Sequence, residues 1–357
     1  MTTPNPFTTA PAPADPSQLF GGLGAAPAQT PAHHFPLPPE VRQYRPTYVR
    51  GAYALPPLPG TTEPLKAPRV TSKVKALDDM TGLMKWKTRE VVKGVAAKPS
   101  IVNGIDLLAE RRDLNNDLDR AIDEAEVEAG SKRSAELGTA IHGWIEGVER
   151  GELSRDEVPR QFMPYVNAYF DRLAEYGVRP IPELVERIVY NSTTGWAGTF
   201  DNIYELATGE RVIGDKKTSK TTSFRLSALS FAQQLATYAG ADYMLAADGE
   251  SWKPMPPVSD AFAVIAHVPS DEPGQCTLET IDLDYGRRAI ELAKAVADCR
   301  QQAPAGVLRR WELPDLGDAV DMCTSSAELA ELWENNAGVW TDELTARGQK
   351  RLADLAR

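Results

Sequence analysis

The sequence predicts a protein of the α/β (α+β) class, in which a central mixed sheet is flanked by helices and preceded by a proline-rich tail. The first observation is that 16 of the 28 prolines fall within residues 1–70 of the 357-residue chain. The second is that residues 77–177 show helical spacing of apolar side chains, whereas short β-rich runs fill residues 184–218. The third is that a helix, two strands and another helix follow, an order expected for helices packed on one sheet.

The N-terminal residues 1–68 are rich in Pro, Ala, Gly and Thr, and we predict that they form a disordered tail. The apolar stretch 46–60 interrupts this tail, either as a linker or as a short peptide that binds a partner protein. Order should begin near Arg69, with a folded domain over residues 69–310 and a C-terminal helical extension over residues 311–357.

The composition excludes several classes of protein. No apolar run approaches the roughly 20 residues of a membrane helix, and the N-terminus lacks the basic start and apolar core of a secretory signal. Three scattered cysteines (Cys276, Cys299, Cys323) are too few for a disulfide framework, so we predict a reducing, cytoplasmic location without a membrane partner. The net charge of −11 is unusual for a nucleic-acid binder, but residues 66–98 hold nine basic against three acidic side chains.

The helices are predicted from apolar residues that recur every three or four positions. Residues 161–177, for example, repeat Phe162, Tyr165 and Tyr169, and Gly177 ends the pattern. The predicted helices cover residues 77–96, 103–129, 134–150, 161–177, 223–245 and 284–302, with shorter helices in the last 55 residues. The predicted strands cover residues 184–190, 195–206, 210–218, 260–268 and 276–283, the first three as a meander.

The hairpin between the second and third strands brings two acidic residues together. A three-residue loop that ends in Gly209 fits a type I turn followed by a bulge, so that Leu206 pairs with Glu210. This register places Asp201 opposite Asp215, where two carboxylates about 5 Å apart repel by about 3 kcal/mol at an effective dielectric near 20. A Mg²⁺ or Mn²⁺ ion between them would remove the repulsion.

Lys217 lies two residues after Asp215 and therefore on the same strand face, where an ammonium could stabilise charge on a phosphate. The alternative is a solvated strand end, since Lys216, Lys217 and Lys220 also form an ordinary charge run. Two helices add polar pairs four residues apart: His142 with Glu146, and Gln234 with Tyr238. Taken singly, each pair is more often structural than functional.

Taken in chain order, four fragments resemble the motifs of the RecB-type exonuclease family of the PD-(D/E)XK nucleases. These fragments are GTAIH (138–142), GTFD (198–201), GDKKTS (214–219) and QLATY (234–238). The family includes phage exonucleases and the CRISPR-associated adaptation nucleases, and the resemblance spans about residues 69–300. It implies a restriction-endonuclease-like core and phosphodiester hydrolysis that depends on Mg²⁺ or Mn²⁺.

The resemblance also implies a role for each matching residue. His142, Asp201, Asp215 and the backbone carbonyl of Lys216 would hold metal, and Lys217 would be catalytic together with the two aspartates. Gln234 and Tyr238 would help to hold DNA, and Glu186 and Glu146 would be auxiliary. From the basic stretch we add Lys73, Lys75, Lys85 and Lys87 as contacts to DNA phosphates. Trp86 could stack on a base, although a core position is the commoner role of tryptophan.

The cofactors and partners follow from these roles. Imidazole ligation favours Mn²⁺ over Mg²⁺, so we expect stronger activity in Mn²⁺. The adaptation nucleases carry four cysteines around an iron–sulfur cluster, whereas the three cysteines here contain no close-spaced pair, and we expect no cluster. Without a GxxxxGK[ST] loop we expect no dependence on ATP.

The predicted function is an exonuclease that resects DNA ends for phage-type recombination or replication, so that a single-strand annealing protein can act. The N-terminal tail could bind that annealing protein or a replication protein. The alternatives are a structure-specific endonuclease or RNA nuclease of the same fold, a catalytically silent DNA-binding module, and a scaffold recruited through its tail.

Overall fold

The computed structural model describes residues 35–39, 46–49, 51–307 and 315–356. The described residues up to Ala297 form one compact unit, and those from Asp298 onward form a second. The predicted boundary between residues 310 and 311 falls outside the described residues. None of the described helices is long and apolar enough to cross a membrane.

The elements that the sequence predicts for the first unit occur in the predicted order, but the helix predicted over residues 223–245 ends at Ala239, with Gly240 as its C-cap, and Tyr243–Leu245 form a strand instead. The strands at Thr47–Val49, Ala52–Leu55, Leu65–Pro68, Arg179–Pro180 and Trp252–Pro254 were not predicted. The helices are α1 (Val70–Lys73), α2 (Thr81–Ala97), α3 (Arg111–Glu128), α4 (Ser131–Glu149), α5 (Met163–Glu175), α6 (Thr221–Phe224), α7 (Ala228–Ala239) and α8 (Leu283–Gly306), the last of which continues into the second unit. The strands are β1 (Thr47–Val49), β2 (Ala52–Leu55), β3 (Leu65–Pro68), β4 (Arg179–Pro180), β5 (Arg187–Asn191), β6 (Trp196–Phe200), β7 (Asn202–Glu205), β8 (Arg211–Lys217), β9 (Tyr243–Leu245), β10 (Trp252–Pro254), β11 (Phe262–His267) and β12 (Thr277–Asp282). Short 3₁₀ turns lie at Val74–Leu77, Pro99–Val102, Arg155–Glu157, Pro182–Leu184 and Arg225–Ser227.

The central sheet is mixed, with the strand order β12-β11-β8-β7-β4. Strands β8 and β11 run parallel, and the other neighbours are antiparallel. Helices α4 and α5 pack on one face, where they bury Val212 and Tyr204. Helices α7 and α8 pack on the other face, where they bury Ile213 and Ile265. The predicted class, a mixed sheet flanked by helices, is therefore confirmed, because successive residues of β8 alternate between two covered faces.

The hairpin that joins β7 to β8 has the predicted register. Ile203 pairs with Ile213, and the amide of Leu206 donates to the carbonyl of Glu210 at 2.8 Å. Gly209 adopts φ +83°, the left-handed conformation that a turn with a bulge requires. Continued one step beyond the last paired residues, this register sets Asp201 opposite Asp215.

The predicted strand over residues 195–206 is in fact two strands in different sheets. Strand β6 belongs to a second sheet, of order β10-β9-β5-β6, whereas β7 belongs to the central sheet. Asp201 is the residue between them, and its carbonyl accepts a hydrogen bond of 2.9 Å from the amide of Glu186. The predicted three-stranded meander is wrong at this point, because nearly every residue of 195–206 is buried and no pattern of alternation reveals which sheet each half joins.

The prediction that disorder extends to residue 68 is wrong for residues 47–68. Strands β1, β2 and β3 form a three-stranded antiparallel sheet, and Tyr53, Leu55 and Ala67 are buried in it. These side chains pack against Ile188 of β5 and Leu245 of β9. The apolar stretch 46–60 is therefore part of the folded unit and is neither a linker nor a free peptide. Residues 1–34 of the predicted tail lie outside the described residues.

The second unit contains α9 (Leu316–Met322), α10 (Ser326–Asn335) and α11 (Asp342–Leu355), with a 3₁₀ turn at Ala337–Val339. Each helix begins at a residue whose side-chain oxygen accepts a backbone N–H of the first turn, namely Asp315, Ser325 and Thr341. Val320, Cys323 and Leu329 are buried together in this unit.

Candidate metal centre

Three side chains converge where α4, β5 and β6 meet, and all three are of types that ligate divalent cations. His142 lies on α4, Glu186 immediately precedes β5, and Asp201 immediately follows β6. One ligand atom from each lies within 4.8 Å of the other two. Nε2 of His142 is 2.9 Å from Oε1 of Glu186 and 3.9 Å from Oδ2 of Asp201. One imidazole with carboxylates is a donor set that suits Mn²⁺.

Glu186 has an unusual backbone conformation. Its φ of +51° is the only positive φ of a non-glycine residue in the described part of the chain. Such a conformation costs on the order of 1–3 kcal/mol and persists where the surroundings impose it. The surroundings here include the hydrogen bond from the Glu186 amide to the Asp201 carbonyl. Glu186, which the resemblance implies to be auxiliary, thus lies within the candidate cluster itself.

Asp215 and Lys217 form a second charged group beside this cluster. Both lie on the face of β8 that carries Ile213, and the Lys217 ammonium contacts the Asp215 carboxylate in an ion pair. The ammonium also lies over the ring of Phe231, 5.2 Å from its centroid. Asp215 is 1% exposed, and neither of its oxygens accepts a hydrogen bond of regular geometry from the described residues. A buried carboxylate with spare lone pairs is chemically suited to a cation, so these residues fit the metal that the resemblance implies.

The cluster strongly shifts the acidity of its members. Burial would lower the pKa of His142, but Asp201 and Glu186 outweigh burial and raise this pKa to about 9. Burial raises the pKa of Asp215 to about 6, with Asp201 adding to the rise and Lys217 opposing it. Burial also acts to raise the pKa of Asp201, yet the positive charges of His142, Lys216 and Lys217 lower it below its usual value. The metal-free site is thus held together by protonated His142 between carboxylates.

Lys216 contacts the site through its backbone. Its amide donates to Oδ2 of Asp201 at 2.7 Å, which fixes one oxygen of that carboxylate. Its side chain points to the opposite face of the sheet, where the ammonium donates to Glu149. The predicted ligation by the Lys216 carbonyl stays a prediction. The side-chain contacts of Lys216 were not expected from the sequence.

Glu146 lies one helical turn after His142 and faces Arg150. Their side chains form an ion pair of 2.9 Å. Burial and the nearby Glu186 raise the pKa of Glu146, while Arg150 opposes the rise. Glu146 is thus tied to Arg150 at the edge of the cluster, and its predicted auxiliary role stays a prediction.

Two glycines of the motif fragments are explained by close packing. A Cβ on Gly138 would lie 2.6 Å from Oγ1 of Thr218, so the helix of GTAIH fits closely against the strand of GDKKTS. A Cβ on Gly198 would lie 2.5 Å from Cε1 of Tyr238, so the strand of GTFD fits closely against the helix of QLATY. The four fragments are therefore one packed assembly rather than four separate features.

The predicted DNA-binding residues differ in exposure. Gln234 is partly buried and its amide donates to the hydroxyl of Tyr238 at 3.2 Å. Tyr238 itself is 1% exposed, and burial raises its pKa well above the usual value. Tyr238 therefore packs inside the protein and would act on DNA only through Gln234.

The basic residues of α1 and α2 lie at the surface to differing extents. Lys75, Lys85 and Lys87 are exposed, and Lys73 is half-buried. The expectation that Trp86 is a core residue is wrong, because it is 45% exposed between Lys85 and Lys87. Three acidic side chains reduce the charge of this surface, through the pairs Lys87–Glu126, Lys93–Glu90 and Lys98–Glu124. Contacts of these lysines with DNA stay predictions.

No family model matches the chain, and no curated protein matches it closely enough to be counted as similar. Any assignment of function therefore rests on the residues and their geometry.

Proposed function

We propose that this chain is a metal-dependent DNA exonuclease of the RecB-type PD-(D/E)XK class, which resects DNA ends in phage-type recombination or replication. One observation carries the proposal: His142, Glu186 and Asp201 converge within 4.8 Å beside the ion pair of Lys217 with the buried Asp215. A structural ion-pair cluster needs neither the strained backbone of Glu186 nor a buried carboxylate whose Oδ1 accepts no hydrogen bond from the described residues.

The side chains divide the chemistry between them. His142, Glu186, Asp201 and Asp215 would hold Mn²⁺ or Mg²⁺, which supplies a Lewis acid that activates water and neutralises charge on a phosphodiester. The Lys216 amide keeps the Asp201 carboxylate oriented. The side chain of Lys217 is 22% exposed. Its ammonium would stabilise the negative charge that develops on the phosphate. Its pKa is raised, since Asp215 and Asp201 outweigh the effect of burial, so it stays protonated at neutral pH.

The substrate would be held by positive charge. Exposed lysines on and before α2 provide phosphate contacts, which position DNA without recognising its sequence. Trp86, exposed among them, is available to stack on an unpaired base. Both features favour a nucleic-acid substrate with an accessible end or single strand.

The test is a time course of cleavage with end-labelled linear duplex, single-stranded DNA and a closed circle, in Mg²⁺, Mn²⁺ or EDTA. We expect metal-dependent loss of the linear DNA, faster in Mn²⁺, while the circle survives. Cutting of the circle would instead identify an endonuclease. Binding of DNA without cleavage in any metal would identify a silent DNA-binding module.

Two substitutions test the assignment of the site. Asp215→Asn and Lys217→Ala should each lower cleavage at least a hundredfold, because each removes a charge that the reaction needs, while DNA binding is largely retained. Lys220→Ala and Asp298→Asn change exposed residues of the same types and should leave the rate unchanged. Wild-type cleavage by either site variant would disprove the assignment.

A further inference from the structure

A second cluster of charged and polar side chains lies on the other face of the central sheet, behind the candidate metal centre. The side chains of Lys216 and Glu149 are both 0% exposed, and Nζ of Lys216 lies 2.8 Å from Oε2 of Glu149. A buried ion pair contributes little net stability, because desolvation of the two charges offsets their attraction. Replacement of a buried ion pair by apolar side chains of similar volume is often neutral or stabilising. The presence of the pair therefore calls for a role other than stability.

Lys216 holds the segment that carries Asp201 from both sides of the strand. Its backbone amide donates to Oδ2 of Asp201 at 2.7 Å, and its ammonium donates to Oδ1 of Asn202 at 2.7 Å. These two acceptors are consecutive residues at the point where the chain leaves β6 and enters β7. Lys216 thus fixes both the orientation of the Asp201 carboxylate and the path of the backbone behind it.

Glu149 connects this strand to the helix that carries His142. It follows His142 by seven residues on α4, which is two helical turns and about 10 Å along the same face. An ion pair at this point fixes the position of α4 along the sheet and the rotation of α4 about its own axis. His142 and Asp201 belong to different elements, so their separation depends on that placement.

The cluster is completed by two tyrosines. The hydroxyl of Tyr169 on α5 donates to Oε1 of Glu149 and lies 2.8 Å from the hydroxyl of Tyr204 on β7. The side chains of Lys216, Glu149, Tyr169 and Tyr204 are all buried, and both oxygens of Glu149 are occupied, whereas Nδ2 of Asn202 has no hydrogen-bond partner among the described residues. Buried hydrogen bonds of this kind favour one arrangement of the surrounding elements, whereas an apolar core tolerates small shifts.

We infer that the Lys216–Glu149 pair is a positioning device for the metal centre, which sets the spacing between His142 on α4 and Asp201 after β6. The inference rests on the proposed function, since it assumes that these residues bind a cation. Glu149 and the Lys216 side chain pair with each other in the buried core and lie outside the His142–Glu186–Asp201 group, so we assign both as positioning residues. Partners behind metal ligands typically change affinity by 10–100-fold when they are removed.

The experiment compares the full-length protein with the double variant Lys216→Met/Glu149→Met, which removes both charges and leaves neither buried alone. Mn²⁺ binding to the metal-free protein is measured by the loss of the electron paramagnetic resonance signal of the free ion, and folding by urea unfolding. We expect a variant that unfolds near the wild-type midpoint but binds Mn²⁺ at least tenfold more weakly. Wild-type affinity in a folded double variant would overturn the inference.

Two further variants separate positioning from general weakening of the core. Ile290→Ala, on α8 in the core on the other face of the central sheet, should lower the unfolding midpoint and leave Mn²⁺ affinity unchanged. Tyr169→Phe removes only the hydroxyl that donates to Glu149, and should weaken Mn²⁺ binding about threefold. Unchanged affinity in Tyr169→Phe would overturn the inference if the double variant does not fold.

The same titrations distinguish failure of the inference from failure of the proposed function. A wild-type protein that binds no Mn²⁺ and cuts no DNA would overturn both. A wild-type protein that binds Mn²⁺ and cuts DNA, paired with variants of equal affinity, would overturn only the positioning role.

Discussion

Asp201 is the residue on which the candidate site most depends. Its carboxylate accepts the amide of Lys216, its carbonyl accepts the amide of Glu186, and its side chain lies 3.9 Å from His142. The sequence predicts that Asp201 faces Asp215, because turn chemistry alone fixes the hairpin register. The conformation of Glu186 could not be predicted, because a positive φ at glutamate is imposed by tertiary contacts that leave no local pattern.

The raised pKa of His142 predicts how metal binding depends on pH. Only neutral imidazole ligates a cation, so at pH 7 binding must release the proton that Asp201 and Glu186 hold at a pKa of about 9. Calorimetric titration with Mn²⁺ in two buffers of different ionisation enthalpy should report release of about one proton. Apparent affinity should rise about tenfold per pH unit below pH 9. Affinity independent of pH between 6.5 and 8 would contradict this prediction.

The same shift predicts how the stability of the metal-free protein depends on pH. Because folding raises the pKa of His142 from 6.5 to about 9, its protonation stabilises the fold fully below pH 6.5. That stabilisation, on the order of 3 kcal/mol at most, is lost as the pH rises from 6.5 through 9. Urea unfolding in EDTA at pH 6.5 and pH 9 should show the loss. A His142→Asn variant should lose less unfolding free energy between these two pH values. An equal loss in the variant and the wild type would disprove this account.

At the scale of helices and strands, the sequence predicts α4 and α5 to within three residues at either end, because amphipathic spacing survives in both. It predicts the centre of α7 but extends that helix to residue 245, through β9. It fails over residues 195–206, where burial on both faces removes the alternation and hides the passage from one sheet to another. A close contact between two elements is likewise visible in the sequence only as a glycine, which by itself does not identify the contact. Gly198 and Gly138 look ordinary until their neighbours are known.

The contact between β6 and α7 predicts the effect of a methyl group at Gly198. In Gly198→Ala the added Cβ would lie 2.5 Å from Cε1 of Tyr238, a ring that is 1% exposed and cannot move freely. We expect a loss of about 1–3 kcal/mol in the free energy of unfolding, measured in urea, as for other overpacked cores. Gly82→Ala on α2 meets no atom within 4 Å and should be neutral or slightly stabilising. Equal stability of Gly198→Ala and wild type would refute the packing argument.

At the scale of the whole molecule, composition misleads where it is averaged over a long segment. Residues 1–68 hold so many prolines that the segment resembles a tail, yet its last third forms a sheet. The prolines there lie beside strands or at their ends, where the missing N–H of proline costs little. One of them also accepts a hydrogen bond, because Nε1 of Trp252 donates to the carbonyl of Pro56 at 3.1 Å. The apolar residues between the prolines, rather than the proline content, decide that this part folds.

Two truncations test this division of the N-terminal segment. Removal of residues 1–34 takes away a segment rich in Pro, Ala, Gly and Thr that the sequence predicts to be disordered, so we expect unchanged melting and unchanged cleavage of linear DNA in vitro. Removal of residues 1–68 deletes Tyr53 and Leu55 and uncovers Ile188 and Leu245, at about 1.5–3 kcal/mol for each large side chain. Differential scanning fluorimetry should therefore show a melting temperature at least 5 °C lower, with cleavage lost at 37 °C.

The shorter truncation also separates the nuclease from a scaffold that acts through its tail. A protein without residues 1–34 that still cuts DNA but no longer supports recombination in cells would assign partner binding to those residues and catalysis to the folded unit. A protein that loses cleavage in vitro on removal of residues 1–34 would contradict the assignment of catalysis to the folded unit. Unchanged melting of the 1–68 truncation would show that β1–β3 contribute nothing to the core, against the burial of Tyr53 and Leu55.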